Sequence, residues 1–283
     1  MRADVWSRFA IRHDQRRRAK KLLRRVRLAD AAVVSVGKSG RTWLRAMLSH
    51  IYHQRHGLPA QELIDFDNFH ARHAAVPRIL FTGVEAGGRA PSGRTWAQEV
   101  ATVKRIVLLS RDPRDVAVSF YFQMTERATE RELQRKGVYS RAALQEMKMI
   151  DFLLDPRLGV PRVNRMLGGW RDAVADHPGV LSVSYEELRA DTEAAFGRVA
   201  RFIDPATSAS EIAAAVAFGS FDMMQARERD GFFNSERLRA SGETPDGRKV
   251  RRGKIGGYRD YLSGEDLLRL DRLVEPAQDG ART

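Results

Sequence analysis

Cysteine is absent from the 283-residue chain, which excludes disulfides, thiolate zinc sites and a cysteine nucleophile. No apolar run reaches the roughly 18 residues that a spanning helix needs. The first 28 residues also lack the apolar stretch of a secretory signal. These absences point to a cytoplasmic protein. Internal repeats and low-complexity tracts are missing too. With 43% apolar and 30% charged residues, the composition is that of a chain that buries a core rather than one that stays disordered.

Acidic residues are scarce at one end. Residues 1–28 hold eleven Arg or Lys against Asp4 and Asp14, so they supply about +9 of the formal charge of +13 and leave about +4 for the rest. That remainder suits a local anionic pocket better than a body coated for nucleic acid. Residues 8–28 read as a basic helix with an incomplete apolar stripe of Phe9, Ile11, Leu22, Leu23, Val26 and Leu28. A helix packed on the domain, attachment to an anionic membrane surface and a nucleic-acid arm all remain open. An Arg-rich transit peptide is the fourth reading. The division expected is a basic helical arm over 1–28 and a single domain over 29–283, a length that one core can fill.

Ala31 to Val36 (AAVVSV) reads as a buried parallel strand. It ends at Gly37, and Thr42 to His56 carries Trp43, Met47, Leu48 and Ile51 at helical spacing before Gly57 stops it. The grammar repeats at Arg105–Leu109, where Asp112 caps a helix that starts at Pro113. A third strand at Val180–Ser184 leads through YEEL into a helix near 191–203. Alternating strands and helices predict an α/β fold with a central parallel sheet flanked by helices. The polar, glycine-punctuated stretch from about 227 to 252 reads as a long loop or lid.

Gly37-Lys38-Ser39-Gly40-Arg41-Thr42 lies between strand and helix, where loop N–H groups and the helix dipole make an anion site. A nucleoside-triphosphate P-loop would need glycine at position 32, which is Ala32. A kinase of that type is therefore disfavoured. The segment SGRTWLRAML, followed about 70 residues later by RIVLLSRDPRDVAVSFYFQ, resembles the two nucleotide-binding signatures of the sulfotransferase family that uses 3'-phosphoadenosine-5'-phosphosulfate (PAPS). The likeness continues through MLGGWRDAVADHPGVLSVSYEEL, through Gly219-Ser220-Phe221 with Met224, and through Arg251-Arg252-Gly253. It spans roughly residues 31–275 in four ordered blocks, and it implies the P-loop-like sulfotransferase fold.

By that resemblance Lys38, Ser39, Gly40, Arg41, Thr42 and Trp43 grip the 5'-phosphosulfate, with Arg41 where a small hydroxyl residue is usual. Arg111 and Ser119 hold the 3'-phosphate, and both residue types suit a phosphate dianion. Without the resemblance, Arg111 reads as a salt-bridge partner of Asp112 or Asp115. Tyr185, Ser220, Phe221 and Met224 line the adenine, and Arg251, Arg252 and Gly253 complete the 3'-phosphate clamp. Arg252 stands for a lysine and Tyr258 for a tryptophan. The resemblance implies an in-line transfer of a sulfuryl group to an acceptor hydroxyl or amine, with no metal required, that leaves adenosine 3',5'-bisphosphate.

One family feature is missing. The lysine-threonine-histidine element that supplies the general base corresponds to Phe81, Thr82 and Gly83. Glu85 is taken as the base, with His70 and His73 as alternatives, and Gly83 equally fits an altered or inactive enzyme. The basic arm suggests an acceptor at an anionic membrane, such as a lipid or glycolipid. The rivals are a P-loop kinase and a non-catalytic nucleotide or nucleic-acid binder.

Overall fold

Strands whose residues are all apolar cannot keep one face in water, so they lie in the middle of a sheet covered on both sides. The computed structural model describes residues 2–130, 132–133, 139–235 and 253–274, with side chains from residue 13 onward. Among these, β1 (Ala31–Ser35), β2 (Ile79–Thr82), β3 (Ile106–Ser110) and β4 (Val180–Ser184) form one parallel sheet in the order β2-β1-β3-β4. β1 is buried along its whole length. Val33 pairs with Phe81 on one side and Val107 on the other. The strand expected at 105–109 starts and ends one residue later, and 180–184 forms as read.

Alternate residues of a strand face opposite sides, and β1 divides its residues accordingly. Ala31 and Val33 pack with Leu44, Met47, Leu48 and Ile51 of helix α2 (Arg41–His56), and with Phe196, Val199 and Ile212 from the helices Thr192–Ile203 and Ala209–Phe218. Ala32 and Val34 meet Trp96 and Val100, Trp170 and Val174, and Leu23 and Val26. The last four belong to the helix Val160–Val174 and to α1 (Arg2–Leu28). Trp96 and Val100 are the ends of α3 (Trp96–Val100). A third cluster is built on α4 (Pro113–Phe122) with Phe152, Leu153, Tyr258 and Leu270.

The basic segment is one helix, but its last turns are not a free arm. Leu23 and Val26 are buried in the sheet's outer layer, and Leu22 packs there too. Arg16, Arg17, Arg18, Lys20, Lys21, Arg24 and Arg27 are exposed on the other side. Among the described residues no helix is long and apolar enough to cross a membrane. The expected loop over 227–252 also needs correction. Its first residues complete the helix Phe221–Arg229, and 236–252 lie outside the described residues.

The order β2-β1-β3-β4 sends the chain from β1 to one neighbour while β3 lies on the other side. The loops leaving β1 and β3 therefore diverge, and a crevice opens beyond the carboxyl ends of these strands. Such a switch point is where open α/β sheets bind ligands.

Candidate active site

Two residues in the loop after β1 adopt left-handed backbone, Lys38 at φ 77° and Gly40 at φ 88°. For lysine this costs on the order of 1 kcal/mol or more, strain that the surrounding fold must hold. The alternation turns successive N–H groups inward as an anion-binding nest. Only glycine fits at position 40, because a Cβ there would lie 2.7 Å from Tyr185 Cδ2. No side chain caps α2, so its first N–H groups and its dipole are left facing the crevice. Ser39 sits beneath them, fully buried, with an Oγ that has no hydrogen-bond partner.

The end of β3 supplies Arg111. Its Nη1 donates to the Lys38 carbonyl and its Nη2 to the Lys254 carbonyl, both at 3.2 Å. Its guanidinium stands 4.2 Å over the Tyr185 ring. Nη2 also lies 3.6 Å from Asp115, so the salt-bridge reading is realised. The buried Nε keeps no partner. Asp115 in turn accepts the backbone N–H groups of Gly256 at 2.8 Å and Tyr258 at 3.0 Å. One arginine and one carboxylate thus join the loop after β1, the start of α4 and the segment 253–258.

The aromatic side of the crevice is built from β4's exit and the helix Phe221–Arg229. Trp43 meets Tyr185 edge-on at 5.9 Å and donates through Nε1 to the Gly219 carbonyl at 2.6 Å. Phe221 packs so closely on Gly253, itself left-handed at φ 60°, that a Cβ there would lie 2.7 Å from the ring. Arg189 stands 5.9 Å from Trp43 and 5.8 Å from Phe221. Burial pushes the Tyr185 phenol above its ordinary range, opposed by the charges of Arg111 and Arg189. Tyr185 therefore remains a neutral hydroxyl near pH 7.

These walls enclose a cavity of about 420 Å³. Of the residues singled out in the sequence, Lys38, Gly40, Arg41, Thr42, Trp43, Arg111, Ser119, Tyr185, Phe221, Met224 and Gly253 line it. Ser39 lies just behind the lining. Ser220 is not brought to the cavity: it is exposed where the helix Phe221–Arg229 begins. Arg251 and Arg252 lie outside the described residues.

The candidate bases are corrected by their positions. His70 is tied to the Val76 carbonyl, and His73 stacks on His56 at 3.8 Å. His56 ends a 16-residue helix, about 24 Å from the start that faces the crevice. Neither histidine lines the cavity. Glu85 is exposed and does not line the cavity. It lies 3.8 Å from Arg162, which does. Burial pulls the Arg162 guanidinium below its ordinary range, and Glu85 opposes that shift.

The sequence reading missed Arg162, Arg189 and Lys254. Arg189 follows Tyr185 by one helical turn and Lys254 extends Arg-Arg-Gly, so both were within reach. Arg162 sits in VPRVNRM, where nothing local distinguishes it from a surface arginine. Lys38, Arg41, Arg111, Arg162, Arg189 and Lys254 face the cavity against Asp115, the one carboxylate of the described lining. This excess of cations matches a ligand with several phosphate or sulfate charges. Among the described residues no cluster of three or more His, Asp or Glu is placed to hold a metal ion.

Known proteins share this architecture. Mouse sulfotransferase SULT7A1 complexed with PAP superposes with a TM-score of 0.56 at 20% identity, over 89% of this chain and 87% of that one. Retinol dehydratase in complex with androsterone and inactive cofactor PAP gives a TM-score of 0.59 at 19% identity, over 86% and 78%. By sequence the chain is 26% identical to cytosolic sulfotransferase 12 of Arabidopsis thaliana, over 89% of its own length and 78% of that protein's. It is 21% identical to an amine sulfotransferase of Oryctolagus cuniculus, over 88% and 81%. Residues 28–281 match the sequence model of the sulfotransferase domain, and the chain belongs to that family.

Proposed function

We propose that the protein transfers a sulfuryl group from PAPS to an acceptor hydroxyl or amine. The observation that carries this reading is the pairing of two anion sites at the switch point, the nest of Lys38 to Thr42 and the Arg111 site, with the aromatic slot of Trp43, Tyr185 and Phe221 beside them. The residues fit the donor. The unpartnered Ser39 Oγ and Arg111 Nε are buried donors of the kind that a phosphate oxygen satisfies. The donor, when bound, supplies an activated sulfuryl group on a phosphate leaving group. Lys38 and the loop N–H groups stabilise negative charge at the 5' end. Arg111 and Ser119 hold the 3'-phosphate, and Tyr185 and Phe221 enclose the base.

A kinase reading fares worse. Ala32 is inside β1, paired with Leu80 and Ile106, so a longer glycine loop has no room to begin there. Calorimetric titration decides the matter. Wild type binds adenosine 3',5'-bisphosphate stoichiometrically and in preference to ATP with magnesium, and Arg111→Ala weakens this roughly 100-fold through loss of a charged, hydrogen-bonded donor. Equal affinity for ATP, or an unaffected variant, would sink the proposal. Affinity for nucleic acid with a steep salt slope in place of bisphosphate binding would instead favour a non-catalytic binder.

The exposed cations of α1 support association with an anionic surface. A lipid or glycolipid acceptor rested on that helix alone, and the fold uses Leu22, Leu23 and Val26 to cover the sheet. The surface contact is therefore electrostatic. Arg17→Glu with Lys21→Glu and Arg24→Glu removes sedimentation with phosphatidylserine vesicles at low salt while bisphosphate affinity holds. Binding that survives the charge reversal refutes it.

A further inference from the structure

In sulfotransfer to a hydroxyl, a proton must leave the nucleophile. The position from which the family's histidine would act is Gly83, at the end of β2. A Cβ added there would lie 2.9 Å from Arg41 Nη1 and 3.0 Å from the Ser35 carbonyl oxygen. The two departures from the family pattern, a glycine at 83 and an arginine at 41, are therefore one substitution in space. The guanidinium stands where the base's side chain would start. It reaches there from the first residue of α2, with the helix dipole behind it.

The groups around it offer no substitute base among the described residues. Lys38 is cationic and belongs to the same loop. Arg162 brings a second cation from the helix Val160–Val174, and Glu85 lies behind Arg162 at 3.8 Å and outside the lining. Asp115 is committed to two backbone N–H groups and Arg111. Tyr185 is held protonated by burial. A cation in this place disfavours any neighbouring proton acceptor but favours an anionic nucleophile.

We infer that Arg41 replaces base catalysis by receiving the acceptor already ionised, so that the acceptor is an acidic hydroxyl, phenolic in character, that binds as its oxyanion. The proton goes to solvent before transfer. The oxyanion then forms its bond to sulfur as the bond from sulfur to the 5'-phosphate oxygen breaks. That electron pair leaves with adenosine 3',5'-bisphosphate. This rests on the sulfuryl-transfer reading of the site.

The test measures kcat/KM against pH for phenols from unsubstituted to nitro-substituted, with PAPS as donor. The rising limb moves with the acceptor's own pKa, and aliphatic alcohols are poor acceptors. Arg41→Thr lowers kcat/KM roughly 100-fold for unsubstituted phenol, the usual scale for one oxyanion donor, and far less for nitrophenol. Arg41→Lys recovers part of the loss, since it keeps charge but not the planar fork. A limb at one fixed pH for every acceptor, alcohols used as readily as phenols, or a phenol series with no turnover while bisphosphate binds overturns the inference. So does bisphosphate affinity that falls in Arg41→Thr as far as turnover does, because Arg41 then serves the nucleotide. Failure of wild type to bind bisphosphate removes the sulfuryl-transfer reading itself and this inference with it.

Discussion

Replacement of Lys38 by alanine lowers single-turnover sulfuryl transfer by roughly 100- to 1,000-fold, the range for loss of one preorganised donor to developing charge. The same change weakens adenosine 3',5'-bisphosphate binding by less than about tenfold, because the product lacks the sulfuryl group and the loop N–H groups and α2 dipole still hold its 5'-phosphate. Lys38 is the residue of the loop that a side chain strains, at φ 77°. Lys38→Gly is therefore a second informative variant. It relaxes the backbone while removing the same charge, so turnover falls as in the alanine variant while thermal stability rises by up to about 1 kcal/mol. A parallel loss of affinity and turnover in both variants would falsify the assignment of Lys38 to the departing phosphate. Calorimetry with the bisphosphate and quenched single-turnover assays with a phenol supply the two numbers.

Asp115→Ala carries the largest stability effect expected at the site. The carboxylate is 4% exposed, accepts the N–H groups of Gly256 and Tyr258 and sits 3.6 Å from Arg111. Alanine leaves two N–H donors without their acceptor and the Arg111 guanidinium without its carboxylate, a change worth about 3 kcal/mol for a buried pair broken on one side. For a chain of this size that lowers Tm by roughly 6 to 12 °C. The loss is also functional, because Asp115 holds the Gly256 and Tyr258 N–H groups beside Arg111. Bisphosphate affinity at a temperature where the variant is folded therefore drops together with stability. Asp115→Asn, which keeps the volume and one acceptor, loses less of both. An alanine variant as stable as wild type, or one folded with full affinity, shows that the carboxylate does not hold the site together. Thermal denaturation followed by circular dichroism, paired with titration at low temperature, separates the two effects.

The nucleotide half of the site was open to sequence reading because its chemistry is local. A strand, a glycine-bounded turn and a helix start put Lys38, Gly40 and Thr42 in the lining of one cavity within a few residues, and the fold's handedness leaves little choice in how they meet. Arg111 was legible through the family resemblance, since its local setting reads only as a salt-bridge partner of Asp112 or Asp115. Ser220 shows the limit of that approach. It sits between Gly219 and Phe221, both of which line the cavity, yet it turns to solvent where its helix begins. A motif fixes which residues are adjacent in the chain, and a turn decides which of them faces inward.

His70 and His73 were candidates by residue type alone, and packing at the far end of α2 removes them. The stripe on α1 reads as amphipathic, but whether a membrane or the protein's own sheet covers it depends on what packs beneath it. Leu23 and Val26 answer that in the core.

By itself the sequence determined the alternating α/β order, the glycine-bounded loop between strand and helix and the absence of thiol chemistry, which follow from periodicity, residue type and short spacing acting over a few residues. Its resemblance to the family implied the part of Arg111 and the loss of the histidine. The tertiary structure alone decided that Arg41 and Gly83 share one place, that Asp115 ties Arg111 to a segment some 140 residues away, and that Arg162 faces the cavity. Each pairs groups far apart in the chain, and only the register of the sheet and the packing of helices upon it fixes such distances.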